Sequence, residues 1–212
     1  MQESSRKAWK VLWMMVKKFL NLLHKKGDRL VKIEGDRLLL RTFVESDAKS
    51  LADLMRRNKY FWAVHEPLHE EDFYTEEAQF KKILESIHLL RANREYSFGI
   101  YPKGSNVLIG HISLYAIKRL PYNSAFIGYS IDEKYTRKGI ATEAVKEVIK
   151  FAFRHVKLHR IEAYVSPKNE GSIKVLENAQ FVREGLLREL LYINGNWEDH
   201  YLYSLLRDEF RN

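Results

Sequence analysis

The 212-residue chain contains no cysteine, which excludes a disulfide scaffold, thiol catalysis, thiolate zinc sites and iron–sulfur ligation. Its four prolines and ten glycines exclude a collagen-like or long disordered architecture. No run of apolar residues is long enough to span a bilayer: the longest near the N-terminus, Val11 to Val16, is six residues, and Lys17–Lys18 interrupts what would otherwise resemble a signal-peptide core. What is present is the apolar content of one ordinary globular domain. A chain of this length buries roughly 70% of its extended-chain surface without a metal or disulfide staple. A reducing cytoplasm is the expected setting.

The positive charge is unevenly placed. Of the formal +8, residues 1–29 supply +6 through Arg6, Lys7, Lys10, Lys17, Lys18, Lys25, Lys26 and Arg29 against Glu3 and Asp28. The remaining chain lacks a basic stripe with interleaved aromatics, so specific DNA binding is not expected. On a helical wheel Trp9, Leu12, Trp13, Val16, Phe19, Leu20 and Leu23 share one arc with the lysines largely opposite, an amphipathic basic helix. Residues 1–29 are therefore expected as an extension to a domain over 30–212. Packing on the domain or a sister subunit, as in a homodimer, contact with a membrane surface or ribosomal RNA, and a wrongly included upstream start all stay open.

Along the domain, Arg37 to Phe43 reads as a strand. A helix follows, capped by Ser46 or Asp47, with Ala48, Leu51, Ala52, Leu54 and Met55 on its apolar face. Residues 57–75 read as irregular and aromatic. Thr75, with Glu76 and Glu77 in the first turn, opens a second helix to about Asn93. The period then changes to that of strands over Tyr96–Tyr101, Val107–Ile117 and Ser124–Ile131, an antiparallel meander. A helix over Lys138–His155, a strand over Arg160–Val165, a short helix over Asn169–Asn178, and a hairpin of Val182–Ile193 and Trp197–Leu205 about the tight turn Asn194–Gly195 complete the pattern. This order predicts an α/β fold with a mixed sheet in which the later helices cross over.

The segment Tyr129 to Ala144 runs from a strand through a short loop into a long helix. Such a junction aims unpaired backbone N–H groups at one point, and the helix dipole adds attraction for an anion. Gly139 permits close approach of a phosphate and Ala141 keeps the next position small. By itself, a glycine at a helix start also fits a merely tight connection.

This segment resembles the acetyl-coenzyme A loop of the GNAT acetyltransferase superfamily, whose pattern is Gln or Arg, two residues, Gly, one residue, then Gly or Ala. Gly139 and Ala141 match, while Thr136 stands at the first position. Arg37-Leu38-Leu39-Leu40-Arg41, Ile127-Gly128-Tyr129, Arg160-Ile161-Glu162-Ala163, Asn169-Glu170-Gly171-Ser172 with Asn178-Ala179-Gln180-Phe181, and Tyr192-Ile193-Asn194-Gly195-Asn196-Trp197 with Asp199 resemble the RimJ and RimL-like protein N-terminal acetyltransferases. The resemblance spans about residues 36–206. It implies a mostly antiparallel sheet with a splayed pair of parallel central strands, and acetyl-coenzyme A as co-substrate with no metal. It places that co-substrate against Ile131, Arg137, Lys138, Gly139, Ile140, Ala141, Thr142, Asn169 and Ser172. The superfamily often carries a tyrosine acid six residues beyond the asparagine. That position is Val175, which leaves Ser130, Ser172 or water to protonate the leaving thiolate.

Acetyl transfer needs a neutral amine, a polarised carbonyl and close approach, with a backbone N–H near the end of the Phe126–Ile131 strand to polarise the thioester. An α-amine and a lysine differ by roughly 2.5 pKa units, or about 3.4 kcal/mol in the cost of presenting a neutral nucleophile. An N-terminal acceptor therefore asks less of the protein, and a ribosomal protein is the acceptor class the resemblance implies. The acidic stretch Glu66, Glu70, Glu71, Asp72, Glu76 and Glu77 suits anchoring of a cationic amine, or alternatively forms a solvated loop and helix start. Glu66 is the first candidate for base or anchor. Tyr60, Trp62, Glu71, Phe73 and His111 are candidates for the acceptor side, with core packing as the other reading of the aromatics and of His111. A small amine acceptor and a binding module that has lost turnover are the alternatives.

Overall fold

The computed structural model describes residues 30–211. The basic helix expected over Trp9–Leu23 lies outside the described residues. One eight-stranded sheet carries the fold, in the order β1-β2-β3-β4-β5-β6-β8-β7. Its strands are β1 (Lys32–Glu34), β2 (Leu38–Thr42), β3 (Tyr96–Pro102), β4 (Gly110–Lys118), β5 (Ser124–Ile131), β6 (Arg160–Val165), β7 (Val182–Ile193) and β8 (Asn196–Leu206). The helices are α1 (Ala48–Trp62), α2 (Glu76–Arg91), α3 (Ile140–Phe151) and α4 (Glu170–Asn178). No helix among the described residues is long and apolar enough to cross a membrane.

Every neighbouring pair of strands is antiparallel except β5 and β6. That pair is bonded only at Ser124↔Arg160, Ala125↔Ile161 and Phe126↔Glu162. From Ile127 onward β5 follows β4, down to Ile131↔Gly110, while β6 follows β8 to Val165↔Tyr201. The two strands part in a V whose open end lies at their C-termini, the place where parallel strands of open sheets offer a ligand crevice.

The sheet separates two apolar layers because alternate residues face opposite sides. Phe98, Ile100, Ile112, Leu114 and Ile127 pack with Ala144, Val145, Val148 and Ile149 of α3. On the other side Leu51, Leu54 and Met55 of α1 and Phe80, Ile83 and Ile87 of α2 close over Tyr101 and Leu108. Between these positions β4 and β5 carry His111, Ser113 and Ser130. A buried Val, Leu or Ile side chain would contribute roughly 1.5–3 kcal/mol at each such place, so the polar residues forgo core stability.

Four expectations are corrected locally. Asp47 does not cap α1: its carboxylate takes Arg41 at 2.6 and 2.8 Å and accepts the Val44 N–H at 2.9 Å. Helix α1 continues through Tyr60 and Trp62, where an irregular segment was expected, because no proline or glycine intervenes before Pro67. Helical bonding of the α type stops at Phe151 rather than His155, widening to a π-type turn over Ala152–Val156 that ends at Lys157 with φ 64°. The three-residue strand β1, paired on β2, is too short to show a period in the sequence.

Candidate active site

The turn leaving β5 is tethered to α1. Asp132 is buried and paired with the Arg57 Nε at 2.6 Å, and Asn58 Oδ1 accepts the Glu133 N–H at 2.9 Å. Beyond this anchor the backbone passes through the left-handed region at Arg137 (φ 58°) and Gly139 (φ 74°) and enters α3. The first helical bond runs from the Glu143 N–H to the Gly139 carbonyl at 3.0 Å. Among the described residues no hydrogen bond consumes the N–H groups of Arg137, Lys138, Gly139, Ile140, Ala141 and Thr142. Six open donors at the positive end of a helix dipole have the chemistry to hold an anionic group such as a diphosphate.

Arg37, just before β2, fixes the free side of this turn. Its backbone N–H and Nε donate to the two Glu143 carboxylate oxygens at 2.8 Å each, its Nη1 reaches the Lys138 carbonyl at 3.2 Å, and its Nη2 lies 3.4 Å from the place a Cβ on Gly139 would occupy. Thr136, at the variant position of the loop pattern, donates its hydroxyl to the Glu133 carbonyl at 2.8 Å. Its side chain is spent locally, and the turn depends on main-chain donors instead.

On the far side of the V, Asn169 caps α4 by accepting the Ser172 N–H at 3.0 Å. The Ser172 hydroxyl pairs with the Tyr129 hydroxyl at 2.8 Å across the gap between the splayed strands. Burial raises the Tyr129 phenol well above its ordinary value, with the Ser172 bond as a smaller opposing influence. Val175 packs against the core and offers no proton.

A cleft of about 760 Å³ joins Asn169, Ser172 and Tyr129 to the opposite face of the sheet, where Glu66, Lys82, His111 and Ser130 line it. The Ser130 hydroxyl donates to Glu66 Oε1 at 2.5 Å. Burial raises the Glu66 pKa, opposed by the Ser130 bond and by the charge of Lys82. Lys82 has solvent access at the cleft rim, yet the protein around it lowers its pKa, with Glu66, Glu95 and Glu85 opposing that shift. His111 stands directly across from Ser130 in the β4–β5 register. Burial first, then Lys82, lowers its pKa to about 3, so it is neutral at physiological pH, and its Nε2 has no hydrogen-bond partner among the described residues.

The other acceptor-side candidates lie outside the lining of this cleft. Trp62 is buried, donates its indole N–H to the Ile131 carbonyl at 3.0 Å and meets His111 edge-on. It is a strut rather than a wall. Tyr60 is exposed, Phe73 stacks on His69, and Glu71 pairs with Lys59 at the surface. Of the acidic stretch only Glu66 reaches the cleft. Arg37, Lys82, Tyr129 and Asn194 were not among the candidates. Their contacts join segments tens of residues apart; Arg37, Tyr129 and Asn194 lay in segments that carried the family resemblance, without a role assigned to the side chains.

A turn of open N–H groups follows β5, and the splayed β5–β6 pair shares a cleft with a buried carboxylate, an arrangement suited to bringing an anionic donor and a cationic acceptor to the same sheet. The acetyltransferase (GNAT) domain model matches residues 37–182, and the chain belongs to this family. It is 41% identical over 177 residues to YjcK of Bacillus subtilis, described as a probable N-acetyltransferase, covering 84% of this chain and 98% of that one. Among solved structures, the ribosomal-protein-S5-alanine acetyltransferase of Vibrio fischeri is 36% identical with a TM-score of 0.81, covering 86% of this chain and all of that one. RimJ of Mycobacterium smegmatis, in complex with CoA-disulfide, is 26% identical with a TM-score of 0.80, covering 86% and 89% of the two chains.

Proposed function

We propose that the chain transfers the acetyl group of acetyl-coenzyme A to the α-amino group of a protein N-terminus, with a ribosomal protein as the acceptor. The observation that carries this reading is the Glu66–Ser130 pair beside a neutral, unbonded His111, in the same cleft as the V between β5 and β6. The similarity to an S5-alanine acetyltransferase and to RimJ supports the acceptor class.

The residues present fit the co-substrate. The open N–H groups of 137–142 suit its pyrophosphate, and Asn169 and Ser172 line the gap through which its pantetheine arm would pass. Bound acetyl-coenzyme A supplies an electrophilic thioester carbonyl and a thiolate leaving group. Glu66 receives the acceptor as an ammonium and takes its proton; its burial makes it a stronger base than an ordinary carboxylate. With an α-amine pKa near 7.7–8.0, about a tenth of the acceptor is already neutral near pH 7, and Glu66 is left to anchor the amine and take its proton as the new C–N bond forms. Ser130 holds the carboxylate in place, and the neutral His111 adds no repulsion toward a cation. The coupled hydroxyls of Ser172 and Tyr129 keep a proton at the gap, where the departing thiolate requires one.

The test is an acceptor panel. Purified protein with acetyl-coenzyme A is offered a peptide with a free N-terminal alanine, the same peptide N-blocked with one internal lysine, and a linear polyamine, and products are mapped by tandem mass spectrometry. Acetylation at the α-amine is expected. Modification confined to lysine or to the polyamine would overturn the acceptor assignment.

A further inference from the structure

The segment Ala63–Leu68, which carries Glu66, has little packing to fix it, since Val64 is 69% and Leu68 46% exposed. At its start it is held by α1: the His65 and Glu66 N–H groups both donate to the Trp62 carbonyl at 2.9 Å, and Trp62 is itself bonded to Ile131. Beside the Glu66–Ser130 bond, a further restraint comes from the far end of the chain. Asn194, at the tip of the β7–β8 hairpin, accepts the Leu68 N–H on Oδ1 at 2.7 Å and donates from Nδ2 to the Ala63 carbonyl at 2.8 Å and the Glu66 carbonyl at 3.4 Å. A carboxamide is the side chain that can accept and donate at once in this way. The residue also sits at φ 48°, in the left-handed region that asparagine tolerates and glycine adopts at no cost.

We infer that Asn194 is a positioning residue for the acceptor half of the site, latching the hairpin onto residues 63–68 so that the Glu66 carboxylate stays against Ser130. This rests on the role given to Glu66 above. The turn and the latch make opposite demands at position 194. Turn geometry alone ranks glycine at least equal to asparagine. The latch ranks it lower, and ranks aspartate lowest, because a carboxylate would face the Ala63 and Glu66 carbonyls.

Four proteins separate these demands: N194G, N194D, E66Q and the double variant E66Q/N194G, each assayed with a free-N-terminus peptide at saturating acetyl-coenzyme A. N194G is expected to keep its thermal midpoint and its coenzyme affinity while kcat/KM for the peptide falls about tenfold or more, the scale on which a misplaced group slows a reaction. N194D is expected to fall further. In the E66Q background the N194G change is expected to cost nothing more, because Asn194 acts through Glu66. Full activity in N194G, or an equal loss in both backgrounds, would overturn the latch while a large loss in E66Q leaves the proposed function standing. Full activity in E66Q would remove the role of Glu66, and both readings with it.

Discussion

Replacing Gly139 with alanine tests the donor half of the site directly. The residue holds φ 74°, and an added Cβ would meet only the Arg37 Nη2 at 3.4 Å, the end of a flexible side chain. Steric overlap is therefore slight, and the cost is set by the backbone: about 1–2 kcal/mol for a residue with a Cβ in the left-handed region. Against a total stability of about 5–15 kcal/mol the variant stays folded. The strain can be relieved by rotating the peptide units that flank residue 139, and this turns the N–H groups of residues 139 and 140 away from the seat. Hydrogen bonds to a charged group contribute about 1.5–3 kcal/mol each. Losing one weakens coenzyme binding by about tenfold to about 150-fold, and losing both by more. Isothermal titration with coenzyme A, alongside thermal unfolding, measures both halves of this argument. A folded G139A protein that binds coenzyme A as tightly as the parent would refute the placement of the phosphate seat.

Three further outcomes follow from the same geometry. E66Q removes a carboxylate that burial pushes up. The parent loses stability as pH rises from the ordinary carboxylate range through the raised value, and the variant does not, so its thermal midpoint relative to the parent should climb between pH 4 and pH 8 while kcat/KM falls about a hundredfold; a flat difference in midpoint would contradict the raised value. R37M removes the brace between Glu143 and the Lys138 carbonyl. This exposed contact stabilises the turn by at most about 1 kcal/mol, so coenzyme affinity should drop fewer than tenfold with acceptor KM unchanged, as steady-state kinetics would show. Glu184 is held down to about 2 by its bonds from Arg160 and Ser204. Its contribution, about 0.5–1 kcal/mol after solvent screening, is present above the ordinary carboxylate value and lost as pH falls toward 2. E184Q should therefore be less stable than the parent at pH 7 and indistinguishable from it near pH 2 in denaturant titrations.

Segments bounded by local signals were legible before the structure. Strands β5 and β6 fall where alternation and flanking turns place them, Ser124–Ile131 and Arg160–Val165. Thr75 caps α2 as its hydroxyl chemistry requires, accepting the Ala78 N–H at 3.2 Å. The turn of open N–H groups at 137–142, proposed above as the phosphate seat, is one contiguous stretch of backbone and was legible for the same reason. Pairings between distant segments were not. Glu66 and Ser130 were each candidates, yet nothing in the sequence says that residues 64 positions apart are joined by a hydrogen bond. Asp47 read as a cap because its neighbours are right for one, and the guanidinium of Arg41 outcompeted the helix for it. The aromatics of 60–73 read either as acceptor-side residues or as packing, and contacts decide between them: Trp62 is committed to Ile131 and Phe73 to His69.

The two halves of the site differ in what holds them, and this bears on how acceptor choice can change. The donor seat is made of main-chain N–H groups after β5, so Thr136 can replace a long polar side chain there without removing a donor. The acceptor half is made of side chains from separate elements: Glu66 after α1, Lys82 on α2, His111 on β4, Ser130 on β5, with Asn194 of the hairpin tip behind Glu66. On the proposed function, single substitutions at these places alter charge and shape on the acceptor side and leave the turn at 137–142 untouched. Polar residues at sheet positions that would otherwise complete the core also make this half the less stable one. Substitutions that retune the acceptor therefore draw on stability already forgone at His111, Ser113 and Ser130, whereas changes at Gly139 or Asp132 strike the elements on which any donor depends.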